Sequence, residues 1–487
     1  MRTLHLSVLL ALAPLPLSAQ SRPLTAADSA LIGRVLLAED RRDTTDRALA
    51  EARRNGDVRI RHLADRAMAR ITDSAFAGRS AYTPLPAPPS WPEPAWRLRY
   101  RALADQRHDC SALGAALIDS AWPVRLRAAD LMDSTCAGNA AVIALLTGWA
   151  DQANGDVSRH TAGGVSWQPA AHALVALSRL EPTLAGKRIT TFAGHRNPHL
   201  RLYAARAASV MGDAMTLFEL GHDRDPNVRE AVIEALSHLT GHADDSLYIA
   251  ALDADAPQVV RAAALALVGS PDSRARERAN TVFVRWVKRA NASERDVRIA
   301  LLQAAGRPAS DDQPPPPVSS LPEEAVALAL GKDVRLLVTM APSSGGGSFV
   351  VRLRGDAAPM TAGRILALVK DHYYDGMTWH RVEPDFVIQG GGPLNNEYSG
   401  YKRYFRDELS TVHHVRGTVG MSTRAHDTGD AQWFVNLRDN LRLDQNYTVF
   451  AEVVDGMDVV DGVVEGDVIQ TLRRIDGQAD SESRDHP

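Results

Sequence analysis

An arginine, two phenylalanines and two glutamines stand close together in the last third of the chain, and none of them has to react in order to act. Tyr373-Tyr374-Asp375-Gly376-Met377-Thr378-Trp379-His380-Arg381-Val382 is followed by Phe386-Val387-Ile388-Gln389-Gly390-Gly391. A second cluster holds Gly420-Met421-Ser422, Gln432-Trp433-Phe434, Leu443-Asp444 and Val449-Phe450. Arg381 and Gln389 are eight apart, so on continuous or adjacent strands they can face one side. Donors of this kind beside apolar rings can hold and polarise a bound backbone, and they are worth far more in a water-poor site than in water. Signatures of other chemistry are missing: there is no GxSxG, HExxH or paired CxxC. Singly, the residues also have ordinary readings. Phe386 and Phe434 suit a core, Arg381 a surface ion pair, Gly390-Gly391 a bend, and His380 a structural histidine rather than a base. His413-His414 reads as a solvent-facing pair beside a turn.

The elements that must position these residues begin after about residue 330. Residues 334–340 and 349–353 read as strands joined across a Ser/Gly-rich turn, and 359–370 as a helix with proline near its first turn. Short strands alternate with loops to about residue 475, the pattern of a closed antiparallel barrel with flanking helices. The tail, 476–487, is charged and reads as disordered.

Residues 25–306 are of another kind, rich in Ala, Leu, Arg and Asp. A short phrase recurs before Ala-rich helices: Asp57-Val58-Arg59, Trp96-Arg97, Pro123-Val124-Arg125, Pro198-His199-Leu200-Arg201, Asp225-Pro226-Asn227-Val228-Arg229, Pro257-Gln258-Val259-Val260-Arg261 and Asp296-Val297-Arg298. Most copies lie roughly 28 to 38 residues apart, the period of a helical solenoid, with Trp167-Gln168-Pro169 as a degenerate copy. The proline starts a helix where its missing N–H costs nothing. The aliphatic residue packs on the neighbouring repeat, and the arginine can reach a helix end or an aspartate. Residues 148–169 read as a long loop within the array. Asp311-Asp312-Gln313 and Pro314 to Pro317 mark residues 307–329 as an extended, semi-rigid linker.

The C-terminal clusters resemble those of the cyclophilins, the peptidyl-prolyl cis/trans isomerases, and the upstream array resembles HEAT repeats. Turning an Xaa-Pro amide meets a barrier of about 20 kcal/mol set by resonance. Lowering it takes a pocket for the ring, a donor near the prolyl nitrogen and hydrogen bonds to the flanking backbone, with no nucleophile or cofactor. The resemblance implies catalytic roles for Arg381, Phe386 and Gln389. It implies substrate contacts for Val387, Met421, Ser422, Gln432, Phe434, Leu443 and Tyr447. Arg442, Tyr447 and Thr423 stand where many family members carry an aromatic, a histidine and an asparagine, which implies a shifted substrate preference.

The chain has 487 residues, a net charge of −4 and 45% hydrophobic residues, which points to several domains and gives no reason to expect nucleic acid as a partner. Arg2, the apolar run 4–12 and Leu17-Ser18-Ala19 read as a signal peptide over residues 1–19, so export to a bacterial periplasm or beyond is expected. No later stretch reaches the ~18 apolar residues of a membrane span. Cys110 and Cys136 follow similar helical stretches, and in an exported protein they are either one disulfide or two buried thiols, with too few ligands nearby for zinc. No metal or cofactor is expected. Two functions compete. One is an isomerase acting on Xaa-Pro bonds of exported proteins in a folding or chaperone role, with the solenoid binding protein partners. The other is a non-catalytic scaffold whose C-terminal domain only recognises proline segments.

Overall fold

A computed structural model describes residues 23–72, 87–158, 165–313, 325, 328, 330, 333–398 and 400–475. The expected signal peptide, the four linker prolines and the charged tail lie outside the described residues.

The repeat phrases become helix starts. Asn197 and Asp225 cap the helices Pro198–Met211 and Pro226–Leu239 through their side-chain oxygens, with proline at the first turn. Helices Trp96–Asp105, Trp122–Leu131, Gln168–Leu180, Pro198–Met211, Pro226–Leu239, Pro257–Ala266 and Arg295–Ala304 stack on one another in sequence order, each after the first backed by the helix before it. Their apolar stripes merge into one core running from Leu103 to Ala305. The phrase arginines mostly close local structure. Arg201 holds Asp223 at 2.6 Å, and Arg298 holds Asp312 at 2.7 Å. Cys110 and Cys136 form a disulfide across 26 residues, joining the start of helix Cys110–Ala116 to the turn Ser134–Cys136.

Two boundaries differ from expectation. Helices Ala26–Arg41, Arg47–Arg53 and Val58–Thr72 do not continue the solenoid; they have a core of their own, which Ala325 completes. A repeat phrase specifies a helix pair but not which neighbour its stripe meets, and here that neighbour belongs to the C-terminal domain. Arg66 donates to Asp356 O at 3.0 Å and Arg70 to Ala357 O, with Glu39 paired to both arginines. The stretch read as a spacer is in part packed. Asp312 is buried against Arg298, and Ala325 and Leu328 are fully buried. Ala325 sits so close that a Cβ on Gly363 would lie 2.9 Å from its Cα. Within the expected 148–169 loop, Ala153, Val157, Val165 and Trp167 are buried.

The C-terminal domain is a single antiparallel sheet of eight strands: β1 Arg335–Met340, β2 Ser348–Leu353, β3 Trp379–Glu383, β4 Val387–Gly390, β5 Thr418–Met421, β6 Trp433–Asn436, β7 Val449–Asp455 and β8 Ile469–Ile475. Their order is β3-β4-β6-β5-β7-β2-β1-β8. The sheet curls until its outer strands meet at the Thr378–Val468 bridge, supported by Trp379 N–H to Asp467 O at 2.8 Å. Helices Pro359–Lys370 and Met457–Gly462 flank it. Glu408 caps the first of these by accepting from the Met360 and Thr361 N–H groups.

The solenoid presents the first turns of its stacked helices to the segments that connect these strands. Gln168 donates to Glu465 O, and Asn227 to Leu394 O. Asp296 pairs with Arg424 at 2.8 Å. The most buried of these links is Arg97, whose guanidinium reaches Pro384 O and Leu437 O, both at 2.7 Å, and Asp461 at 2.8 Å.

Candidate active site

Strand alternation and one bulge place the chemical groups. In β3 the register shifts between Trp379 and Arg381, so Trp379 pairs with Gly390 whereas Arg381 pairs with Gln389. Without that shift Arg381 would share Trp379's face and point into the core; the bulge turns it to the outer face beside Gln389. Gln432, just before β6, and Phe434 on it face outward while Trp433 packs edge-to-face on Trp379 at 5.0 Å inside. Opposite Phe434 stands Gly420, where a Cβ would fall 2.3 Å from the ring, so only glycine leaves room for it. The turn after β4 needs Gly391 as well: its φ is +88°, and a Cβ would lie 2.7 Å from Ala431 O. Tyr373 and Tyr374 hold that turn through hydroxyl bonds to Gly391 O and Ala431 O.

The result is a cavity of about 300 Å³ lined by Arg381, Phe386, Val387, Gln389, Ser422, Gln432, Phe434, Leu443 and Tyr447. Its apolar end is a small cluster of its own, made by Val387, Phe434 and Leu443 with Phe386 and Tyr447 against them. Its polar end is a relay. Arg381 Nη1 donates to Gln389 Oε1 at 3.4 Å; Gln389 Nε2 donates to Ser422 Oγ and Gln432 Oε1, both at 3.1 Å. Gln432 Nε2 in turn donates to Asn396 O and Glu397 O. Gln389 is thereby fixed with its carbonyl toward the arginine. Glu397 holds Arg381 Nε at 3.3 Å, and the Arg381 side chain remains 38% exposed at the cavity. Phe386 lies near two guanidinium groups, with Arg442 4.5 Å and Arg381 5.9 Å from its ring centre. Such a site can seat a small apolar ring and aim donors at the amide beside it. No group of three metal-ligating residues occurs among the described residues.

Nine of the ten expected site residues meet here; Met421 does not. It pairs with Trp433 on β5 and is buried in the sheet's inner core, because a residue one step from Gly420 takes the opposite face. His413-His414 divides in the same way. His413 is exposed, but the His414 ring is fully buried, stacked on Phe434 at 6.0 Å and bonded to Asp444. Burial lowers its pKa, so it backs the pocket as a neutral ring. His380 lies away from the ring pocket. Burial and then the Arg381 charge push its pKa down to about 4, which leaves it neutral. Glu397, Tyr398, Tyr404, Arg424 and Asp430 also line the cavity, as does Ser293 from the solenoid, and none of these was read from the sequence. Glu397, Tyr398 and Tyr404 belong to the 393–404 loop, whose contacts depend on what the solenoid places against it. Asp430 is 5% exposed; burial raises its pKa to about 7 against the pull of Arg364.

Comparison with known proteins agrees with this geometry. Residues 337–476 match the cyclophilin type peptidyl-prolyl cis-trans isomerase/CLD family, and residues 187–269 match HEAT repeats. A peptidyl-prolyl cis-trans isomerase of Schizosaccharomyces pombe is 38% identical over 118 residues, which is 23% of this chain and 76% of that protein. The isomerase-like 1 protein of Rhizopus delemar is 37% identical over 133 residues, 26% of this chain and 81% of that protein. An isomerase of Helicobacter pylori is 31% identical over 130 residues, 26% of this chain and 80% of that protein. The chain belongs to the cyclophilin-type peptidyl-prolyl cis-trans isomerase family through its C-terminal domain. It is an isomerase fused to a HEAT-repeat solenoid, and each of these relatives aligns with about a quarter of the chain.

Proposed function

We propose that the C-terminal domain isomerises Xaa-Pro bonds in exported polypeptides, in a protein-folding role, and that the solenoid contributes to holding the client chain. Arg381 is the donor to the twisting amide, through the prolyl nitrogen or the adjacent carbonyl. The ring sits among Phe386, Val387, Phe434, Leu443 and Tyr447. Gln389, Gln432 and Ser422 hold the flanking backbone. The observation that carries this reading is the Arg381–Gln389 pair at the edge of an apolar, ring-sized pocket. As the amide twists, its nitrogen becomes pyramidal and able to accept a hydrogen bond, so a donor placed there stabilises the transition state more than the planar ground state.

Cis/trans exchange of a short Xaa-Pro peptide, followed by NMR with the full chain and with Arg381→Ala, tests the catalytic role. A loss of about tenfold or more, worth at least about 1.4 kcal/mol of barrier lowering, is expected; equal rates would remove Arg381 from the mechanism. Export is tested by N-terminal sequencing of the protein recovered outside the cytoplasm. A start at Gln20 supports cleavage after residue 19, and a retained Met1 opposes it.

A further inference from the structure

A second cavity, of about 560 Å³, lies between the solenoid and the isomerase domain. Its solenoid wall comes from helices Trp96–Asp105, Trp122–Leu131, Gln168–Leu180, Pro198–Met211 and Pro226–Leu239, and its other wall from β3, residues 395–398, Leu437, Asp461 and residues 463–465. Arg381, Glu397 and Tyr398 line both this cavity and the ring pocket, so the two are neighbours across a common wall. A polypeptide lying in the catalytic groove therefore passes the mouth of the second cavity within a few residues, at about 3.3 to 3.6 Å of reach per extended residue.

Three residues that line the cavity keep a buried polar atom without a hydrogen-bond partner, Arg127, His380 and Glu230, and Glu230 is the acid among them. Glu230 is 9% exposed, and its buried Oε1 has no hydrogen-bond partner. A buried carboxyl oxygen without a donor is costly and calls for a partner. Neighbouring acids are already engaged: Asp130 holds His172 at 2.6 Å, Asp225 caps its helix, and Asp461 pairs with Arg97 and Arg416. Of the nearby cations, Arg261 lies 3.8 Å from Glu234 and keeps its buried Nη1 without a hydrogen bond. Arg261 and Arg424 both lie over the Tyr398 ring, at 3.8 and 4.4 Å, and Arg424 pairs with Asp296. Glu234, one turn along the same helix, and Glu397 add negative charge around Glu230. Burial, then Glu234, raises the Glu230 carboxyl to about 8, with Arg261 opposing, so the unfilled cavity holds it protonated. An arriving cation would ionise it and satisfy it in one step.

We infer that this inter-domain cavity is a subsite for a lysine or arginine side chain of the substrate, a few residues from the isomerised proline, with Glu230 as its acceptor. This rests on the isomerase reading and names the substrate class that reading leaves open. An ammonium or guanidinium fills the unmet oxygen and meets the surrounding acidic charge; an acidic side chain meets repulsion, and an alanine leaves the oxygen unmet.

The test uses the full chain and a series of short peptides around one Ala-Pro bond, each flanking position carrying Lys, Ala or Glu in turn. Exchange is followed by NMR. At one flanking position Lys should raise kcat/KM about tenfold over Ala, the scale of one charge-assisted hydrogen bond, and Glu should lower it. In Glu230→Gln the Lys advantage should shrink to within about twofold while the Ala peptide is turned over as before, which also shows that the variant is folded. Equal rates for Lys, Ala and Glu at every position, or a Lys advantage that survives in Glu230→Gln, would overturn the subsite and leave the isomerase reading intact. Failure to isomerise any peptide would overturn both.

Discussion

Replacing Arg97 by alanine should loosen one wall of the catalytic pocket from the solenoid side. The side chain is fully buried and spends three donors across the domain boundary, on Pro384 O, Leu437 O and Asp461. Two of these acceptors keep another partner: Arg416 also donates to Leu437 O at 2.8 Å and holds Asp461 at 2.6 Å. Pro384 O loses its donor, and a void replaces the guanidinium. Burying Arg97 is itself costly, as burial lowers its pKa, so alanine relieves part of what it removes. The balance is about 3 kcal/mol of lost stability, between the net worth of one hydrogen bond to a charged group and the breaking of an unsupported buried pair. The site should feel it. Pro384 and Asp385 directly precede Phe386, and Asp385 is gripped by Arg101 at 3.0 Å and Arg438 at 2.9 Å. Urea unfolding followed by tryptophan fluorescence gives the stability, and NMR exchange on an Ala-Pro peptide gives the activity. Beyond the stability loss, kcat/KM at full folding should fall about tenfold, because a small displacement of a pocket wall weakens transition-state contacts. Stability within about 0.5 kcal/mol of the parent, together with unchanged kcat/KM, would refute the idea that the solenoid helps set the pocket.

Three further outcomes are expected. Gly420→Ala places a methyl group against the Phe434 ring, so it should cost about 1–3 kcal/mol by overpacking and depress kcat/KM more than Arg381-independent peptide binding elsewhere would allow; thermal melts and exchange rates check both. Cys110→Ser opens a loop of 26 residues and should cost about 3 kcal/mol in denaturant unfolding, after which dithiothreitol no longer shifts the midpoint of the variant. Asp430 has a folded pKa near 7, raised by burial, against an ordinary value of 3.8, so the folded state holds a proton that the unfolded chain has released across that interval. Its contribution therefore favours the folded state at low pH and is lost as pH rises from about 4 to 7, by up to roughly 4 kcal/mol, and Asp430→Asn should flatten the stability profile over that window.

The ring pocket was legible because its residues lie in strands, where one-step alternation assigns faces and short motifs keep their spacing. Phe386, Gln389, Gln432 and Phe434 could be read without knowing what surrounds the domain. Met421 was misread by one step of that alternation, although Gly420 beside it marks the outward position that Phe434 fills. His414 was misread because exposure of a paired histidine near a turn depends on which ring packs over it, and Phe434 is brought there by the register of β5 and β6.

The residues by themselves determined the two architectures, the order in which they occur and most of the ring pocket, since helical period, strand alternation and proline-started helices are local properties of the chain. Tertiary structure alone decided how the two parts meet. The phrase arginines Arg97 and Arg201 look alike in sequence, yet Arg201 closes its own repeat on Asp223 while Arg97 crosses to Pro384, Leu437 and Asp461. Likewise nothing local marks Glu230 as unsatisfied, or Ser293 and Tyr398 as pocket walls. Those properties come from surfaces far apart in the chain being pressed together, which removes water from some polar groups and supplies partners to others. No window of sequence contains both sides of such a contact.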